Sequence, residues 1–356
     1  MNALRIYAGP RALKQLRERG LQPADVVMVP AAAGGPKGLI LNALDQYLFG
    51  DWLPRAGHTV HLLGASIGAW RMASACLDDP ARALQRMAHD YIHQRYLHAP
   101  GKAPALAHVS ETFGAQLRQH FGGRELQVLR HPRYRLHVFT SRGRHILGRQ
   151  GPLRTPLGYL GAYATNALSR RAMGGWLERV VFSDAREPLP LGLQGFPTHR
   201  LPLSAANLQP AVLASCSIPF WLDAVRDIPG APSGAYWDGG ITDYHLHLDY
   251  ASLPAGLVLY PHFQKAIVPG WLDKGLKHRH RATAALDNLV VLAPDRAWIA
   301  SLPNAKLPDR EDFRRYIDDV PARIAAWQRA VAESVRLADE FAALLTRGGA
   351  IEAEPL

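Results

Sequence analysis

An α/β fold with a mostly parallel sheet and a helical C-terminal tail is predicted by two successive strand-turn-helix units near the N-terminus and a long helical periodicity at the far end. In the first unit, residues 25–32 (DVVMVPAA) form a continuous apolar run bounded by turn residues, as in a strand buried on both faces. The run passes through AGGPKG into LILNALDQYLF, where Leu39, Leu41, Leu44 and Leu48 recur at roughly helical spacing. In the second unit, residues 58–63 (HTVHLL) are strand-like, residues 64–68 (GASIG) make a tight turn and residues 69–77 are helical in character. Two such units in succession imply parallel strands covered by helices. In the tail, from Asp309 onward, Phe313, Ile317, Val320, Ile324, Trp327, Val331 and Val335 recur every three to four residues, with Pro321 suited to the first turn of a new helix.

The other elements follow in order. Residues 11–19 read as a surface helix that stops at Gly20, so residues 1–24 are expected to be a helical lead-in. Residues 78–130, mostly helical in pattern and rich in His, Gln and Arg, read as an inserted helical cap. Residues 133–140 (RYRLHVFT) and 179–183 (RVVFS) read as strands, and the Gly/Pro-punctuated stretch between them as an irregular loop. Residues 199–203 are extended, 210–215 a brief helix, 235–238 a strand ending on an acid, and 256–260 another apolar strand. The main domain is expected over residues 25–263, and residues 264–356 form an extension that is expected to be largely helical.

Composition narrows the function classes. The 356 residues are 48% hydrophobic and 20% charged, the balance of a globular chain with a sizeable core. A formal net charge of +11 favours anionic partners. Nucleic acid is not expected, because the Arg residues are scattered and the dense basic run at 277–281 has no interleaved aromatic for base stacking. The two cysteines, Cys76 and Cys216, have neither CxxC spacing nor a neighbouring ligand cluster, so neither a disulfide scaffold nor a zinc site is expected. The N-terminus lacks a signal-peptide pattern and no apolar stretch approaches a membrane span, so a cytoplasmic protein is expected, with peripheral contact to an anionic membrane as an option.

Three glycine-bearing turns carry the chemistry. Gly64-Ala65-Ser66-Ile67-Gly68 places a serine between strand and helix, the context in which a nucleophile is presented on a tight elbow. The competing reading is a tight turn with a hydrogen-bonded serine. Gly34 and Gly35, with Pro36, Lys37 and Gly38 after them, form a turn whose backbone N–H groups can approach an oxyanion unobstructed. A P-loop does not fit, because Gly38 follows Lys37 where a metal-binding hydroxyl is needed. Trp237-Asp238-Gly239-Gly240 ends a strand on an aspartate that could take the serine proton directly, although an Asp-Gly turn without such a role is equally compatible.

Taken in order, AGGPKG, GASIG and WDGG, with Ala214-Ser215-Cys216-Ser217-Ile218-Pro219-Phe220 ahead of the last, resemble the patatin-like phospholipase family. The resemblance covers roughly residues 25–263. It implies a three-layer α/β/α fold with a Ser66–Asp238 dyad, an oxyanion loop of Gly34, Gly35 and Gly38, and hydrolysis of lipid acyl esters without metal or organic cofactor. Lys37, Gly64, Gly68, Gly239 and Gly240 complete the motifs. Trp70 and Arg71 are bulkier than the residues usual after the elbow and predict a narrowed acyl pocket. Two rivals stand beside this reading. One is a Ser-His-Asp triad esterase or thioesterase using His245, His247 or His262, all of which follow Asp238. The other is a catalytically idle module of the same fold that holds lipid or membrane. His245, His247 and Asp249 alternate along one strand-like stretch without a visible fourth ligand, so no metal site is expected there.

Overall fold

The computed structural model describes residues 2–99 and 102–356. Its strands are β1 (Leu4–Ala8), β2 (Val26–Ala31), β3 (Val60–Ala65), β4 (Tyr134–Gly143), β5 (Leu177–Ser183), β6 (Thr198–Pro202), β7 (Tyr236–Asp238), β8 (Leu257–Pro261), β9 (Leu289–Pro294) and β10 (Glu354–Pro355). They form one sheet in the order β10-β1-β9-β8-β2-β3-β4-β5-β6, with β7 added against β4. The pairings are parallel except β1 with β9, β4 with β5 and β4 with β7. Helices cover the sheet in a three-layer α/β/α arrangement. In chain order they are α1 (Pro10–Arg19), α2 (Asn42–Tyr47), α3 (Ile67–Ala75), α4 (Pro80–Ile92), α5 (Leu106–Phe121), α6 (Glu125–Arg130), α7 (Arg154–Leu168), α8 (Leu208–Cys216), α9 (Gly240–Asp243), α10 (Arg296–Ser301), α11 (Glu311–Arg315), α12 (Val320–Glu333) and α13 (Val335–Arg347).

The apolar runs 26–31, 60–65 and 257–261 are interior strands of this sheet, which explains why they read as continuous hydrophobic segments. Both ends of the chain join the same sheet. β1 lies in the stretch expected to be a helical lead-in, and β9 lies in the extension expected to be largely helical, where the buried run LVVLAP pairs with β1 and β8. The main sheet therefore crosses the boundaries expected near residues 24 and 263.

The stretch between β4 and β5 departs from its expected irregularity, since α7 fills much of it. Its glycines misled the reading. A Cβ on Gly158 would lie 2.5 Å from Leu147 Cδ2 and one on Gly161 2.4 Å from the Trp176 ring, so both allow close packing and do not break the helix. Pro156 falls in the first turn, where a missing N–H costs no helical hydrogen bond.

Candidate active site

β3 ends at Ala65, opposite Phe139 of β4, and β7 runs antiparallel along the same edge of β4 with Asp238 opposite Thr140. The carboxyl ends of β3 and β7 therefore meet over two successive residues of β4. Across this junction the Ser66 hydroxyl donates a 2.5 Å hydrogen bond to Asp238 Oδ2. Both side chains are buried, 2% and 5% exposed.

Ser66 sits at φ 57 and ψ −129, outside the regions ordinary side chains prefer. Such strain persists where surrounding contacts fix it. The Ser66 N–H donates to Ser215 Oγ at 2.9 Å, and that hydroxyl donates onward to the Phe139 carbonyl at 2.7 Å. Gly68 follows in α3, where a Cβ would lie 2.0 Å from the Ala31 carbonyl oxygen, so this position closes the elbow against β2. Gly64 and Gly239 are equally confined, with a Cβ meeting Ala69 Cα at 2.4 Å and the Phe139 oxygen at 2.0 Å.

Asp238 is held from both sides. Its Oδ1 accepts the Gly240 N–H at 2.7 Å, and its own N–H donates to the Ser217 carbonyl at 2.9 Å. A Cβ on Gly240 would stand 2.5 Å from Ala33 Cβ, so this glycine lets the aspartate turn rest against the first glycine-bearing loop. Burial pushes the Asp238 carboxyl above its ordinary value. The Arg310 guanidinium, the Ser66 hydroxyl, the Gly240 N–H and Lys274 pull it back in part.

The loop after β2 brings Gly34 and Gly35 to the same place. Gly35 has φ 56, which favours glycine, and it lines the cavity that contains Ser66. Gly34 leaves no room for a side chain, since a Cβ would lie 2.6 Å from the Phe263 ring. The first N–H groups of a helix lack intrahelical acceptors. Among the described residues, no hydrogen bond takes up those of Gly34, Gly35 or Ile67. Gly38 lies deeper in the tight helical turn Gly35–Leu41, where a Cβ would meet Ile67 at 3.2 Å. Its N–H belongs to the turn's own ladder, so Gly38 spaces two helices and does not line the cavity. The Lys37 ammonium stands 5.5 Å from the centroid of the Phe263 ring, and loss of hydration lowers its pKa.

The cavity, about 130 Å³, is mostly apolar. The core domain contributes Ser66, Ile67, Ile218 and Leu222, the cap contributes Tyr91, Tyr96, Val109 and Phe113, and the C-terminal extension contributes Arg310, Phe313, Ile317 and Val320. Trp70 and Arg71 lie behind this wall instead of narrowing it. Trp70 packs edge-on against Phe113, 5.4 Å between centroids, and Arg71 forms a buried two-pronged pair with Asp45 at 2.7 and 2.8 Å. Arg310 and the cap aromatics had no sequence signal tying them to the site. Ser215 lay within a noted motif, but Arg310 is joined to the site only by the path of the chain.

None of the three late histidines lines the cavity or hydrogen-bonds to Ser66 or Asp238. His245 and His262 are fully buried and pack against each other, 4.4 Å between ring centroids. Burial drives both toward the neutral form, His262 to about 3. His245 Nδ1 is engaged by the Ala266 carbonyl and the Val268 N–H, and His247 lies near Thr283. Among the described residues, no group of three or more His, Cys, Asp or Glu side chains is placed to hold a metal ion.

No protein-family model and no curated protein matches this chain. Among solved structures, VipD from Legionella pneumophila superposes over 95% of this chain and 70% of its own length, at a TM-score of 0.35 and 11% identity. A likeness this slight carries no functional weight, and the site's own geometry has to support any reading of activity. No helix among the described residues is long and apolar enough to cross a membrane.

Proposed function

We propose that this chain is a serine acyl hydrolase of the patatin-like type, acting on carboxylic ester bonds of lipids. The direct hydrogen bond from Ser66 to Asp238, with no histidine between them, carries the reading. Asp238 takes the Ser66 proton as Oγ attacks the ester carbonyl, and the N–H groups of Gly34, Gly35 and Ile67 receive the negative oxygen. As the tetrahedral intermediate collapses, the C–O bond to the alcohol breaks and the leaving oxygen takes the proton from Asp238. Water then attacks the acyl-enzyme with Asp238 again as base, releasing the fatty acid and restoring Ser66. Strain at Ser66 and the positive end of α3 both favour charge developing at this elbow. The apolar cavity suits an acyl chain, and Arg310 and Lys274 place positive charge beside Asp238.

A fluorophosphonate probe followed by peptide mapping tests the assignment. Labelling at Ser66, abolished in Ser66→Ala, is the expected result. Labelling at any other residue would overturn the assignment of Ser66, and no labelling in folded protein that also leaves p-nitrophenyl esters intact would favour a catalytically idle lipid-holding module.

A further inference from the structure

Helix α7 turns the usual logic of a surface helix inside out. Its packed side is Thr155, Gly158, Tyr159, Ala162 and Asn166. Its solvent side carries Leu153, Leu157, Leu160, Tyr163 and Leu168, with Leu153 75% and Leu168 88% exposed. The spacing of 153, 157 and 160 makes a stripe along one face, where a surface helix normally carries charge. No charged residue occurs from Thr155 to Ser169.

Two further observations say what this face meets. From Arg144 to Leu177 the chain contains no Asp or Glu but carries Arg144, Arg149, Arg154, Arg170 and Arg171. Arg149, Arg154 and Arg171 are exposed and make no ion pair among the described residues. An apolar stripe whose flanking charges along the chain are all arginines, three of them without an ion pair among the described residues, is complementary to an anionic bilayer surface, into whose acyl boundary the leucines sink while the guanidinium groups meet headgroups. The packed side of α7 also touches the segment that lines the cavity. Phe220, exposed and held at φ 70, packs against Tyr159 of α7 with 5.8 Å between centroids. Its neighbour Trp221 lines the Ser66 cavity and is still 37% exposed, so it stands at the opening.

We infer that α7, with Phe220 and Trp221, is a docking surface for membranes containing anionic lipid, the helix lying in the plane of the interface and the cavity opening against the lipid. The inference goes beyond hydrolysis, and its test is separable from it. Ser66→Ala protein is co-sedimented with phosphatidylcholine vesicles with or without phosphatidylserine, so that hydrolysis cannot alter the vesicles. Binding to the phosphatidylserine vesicles is expected, weakened by salt and at least about tenfold weaker without the anionic lipid. Adding Leu157→Glu and Leu160→Glu, both outward-facing, is expected to reduce binding at least about tenfold with an unchanged melting curve. The triple change of Arg149, Arg154 and Arg171 to Ala reads the electrostatic part separately and is expected to remove most of the preference for the anionic lipid. Three results would overturn the inference: no binding to anionic vesicles, undiminished binding by the Leu variant, or a wild-type dimer that the Leu variant turns into a monomer, which would make the stripe a contact between copies of the chain.

Discussion

Ser66 and Asp238, 172 residues apart in sequence, meet because β3 and β7 end head to head along one edge of β4. The pair is thus a product of sheet topology, and its 2.5 Å hydrogen bond leaves no space for an intervening imidazole. Asp238→Asn removes the base while leaving every histidine in place. Hydrolysis is expected to fall on the order of 10³-fold or more, measured as kcat/KM on a short-chain ester. Folding raises the pKa of this carboxyl, so its contribution to stability declines as pH rises through the window from the ordinary carboxylate value to the raised one. At neutral pH the variant is therefore expected to melt no lower than the parent. Retained activity would restore a histidine-based mechanism.

Arg310 is the largest of the influences that draw the Asp238 pKa back down. Asp238 must be ionised to act as base, so activity is lost as pH falls through its folded pKa. Removing the guanidinium in Arg310→Gln moves that pKa upward. The acid limb of the kcat/KM profile is expected to shift to higher pH in Arg310→Gln, with Arg310→Lys restoring part of the shift. A limb that stays in place in Arg310→Gln would separate Arg310 from the dyad.

Ser215 anchors the elbow by accepting the Ser66 N–H and donating to the Phe139 carbonyl. Ser215→Ala leaves both backbone groups buried without a partner, a cost of about 1–3 kcal/mol each. Loss of stability in urea unfolding is expected together with a fall in kcat that exceeds any change in KM. The elbow loses its alignment while the cavity walls remain.

The buried pair of Asp45 and Arg71 fixes α3 immediately behind the elbow. Asp45→Asn strands the Arg71 guanidinium in the core, which is expected to cost about 3–5 kcal/mol. The double change Asp45→Leu with Arg71→Met removes both charges, and most of the lost stability is expected to return. Thermal melts of the three proteins check this, and equal losses in the single and double variants would contradict it.

The sequence by itself determined the α/β class, the interior strands and the three turns that form the site. Each is local: a buried strand must be continuously apolar, and a turn that lets backbones touch, as at Gly68 against Ala31 and Gly239 against Phe139, requires glycine at a fixed offset. Glycine also misled the reading, because Gly158 and Gly161 admit neighbouring side chains inside α7, and short-range pattern cannot distinguish a breaker from a packing site. Only the tertiary structure decided that both chain ends join the main sheet, that Arg310 stands beside Asp238, and that cap and extension roof the cavity together. Those contacts join residues far apart in the chain, and no local periodicity records which distant segment fills the space above a serine. The exposed stripe of α7 lies between these cases: its leucines are plain in the sequence, but whether they face core or solvent depends on which side Leu147 and Trp176 occupy.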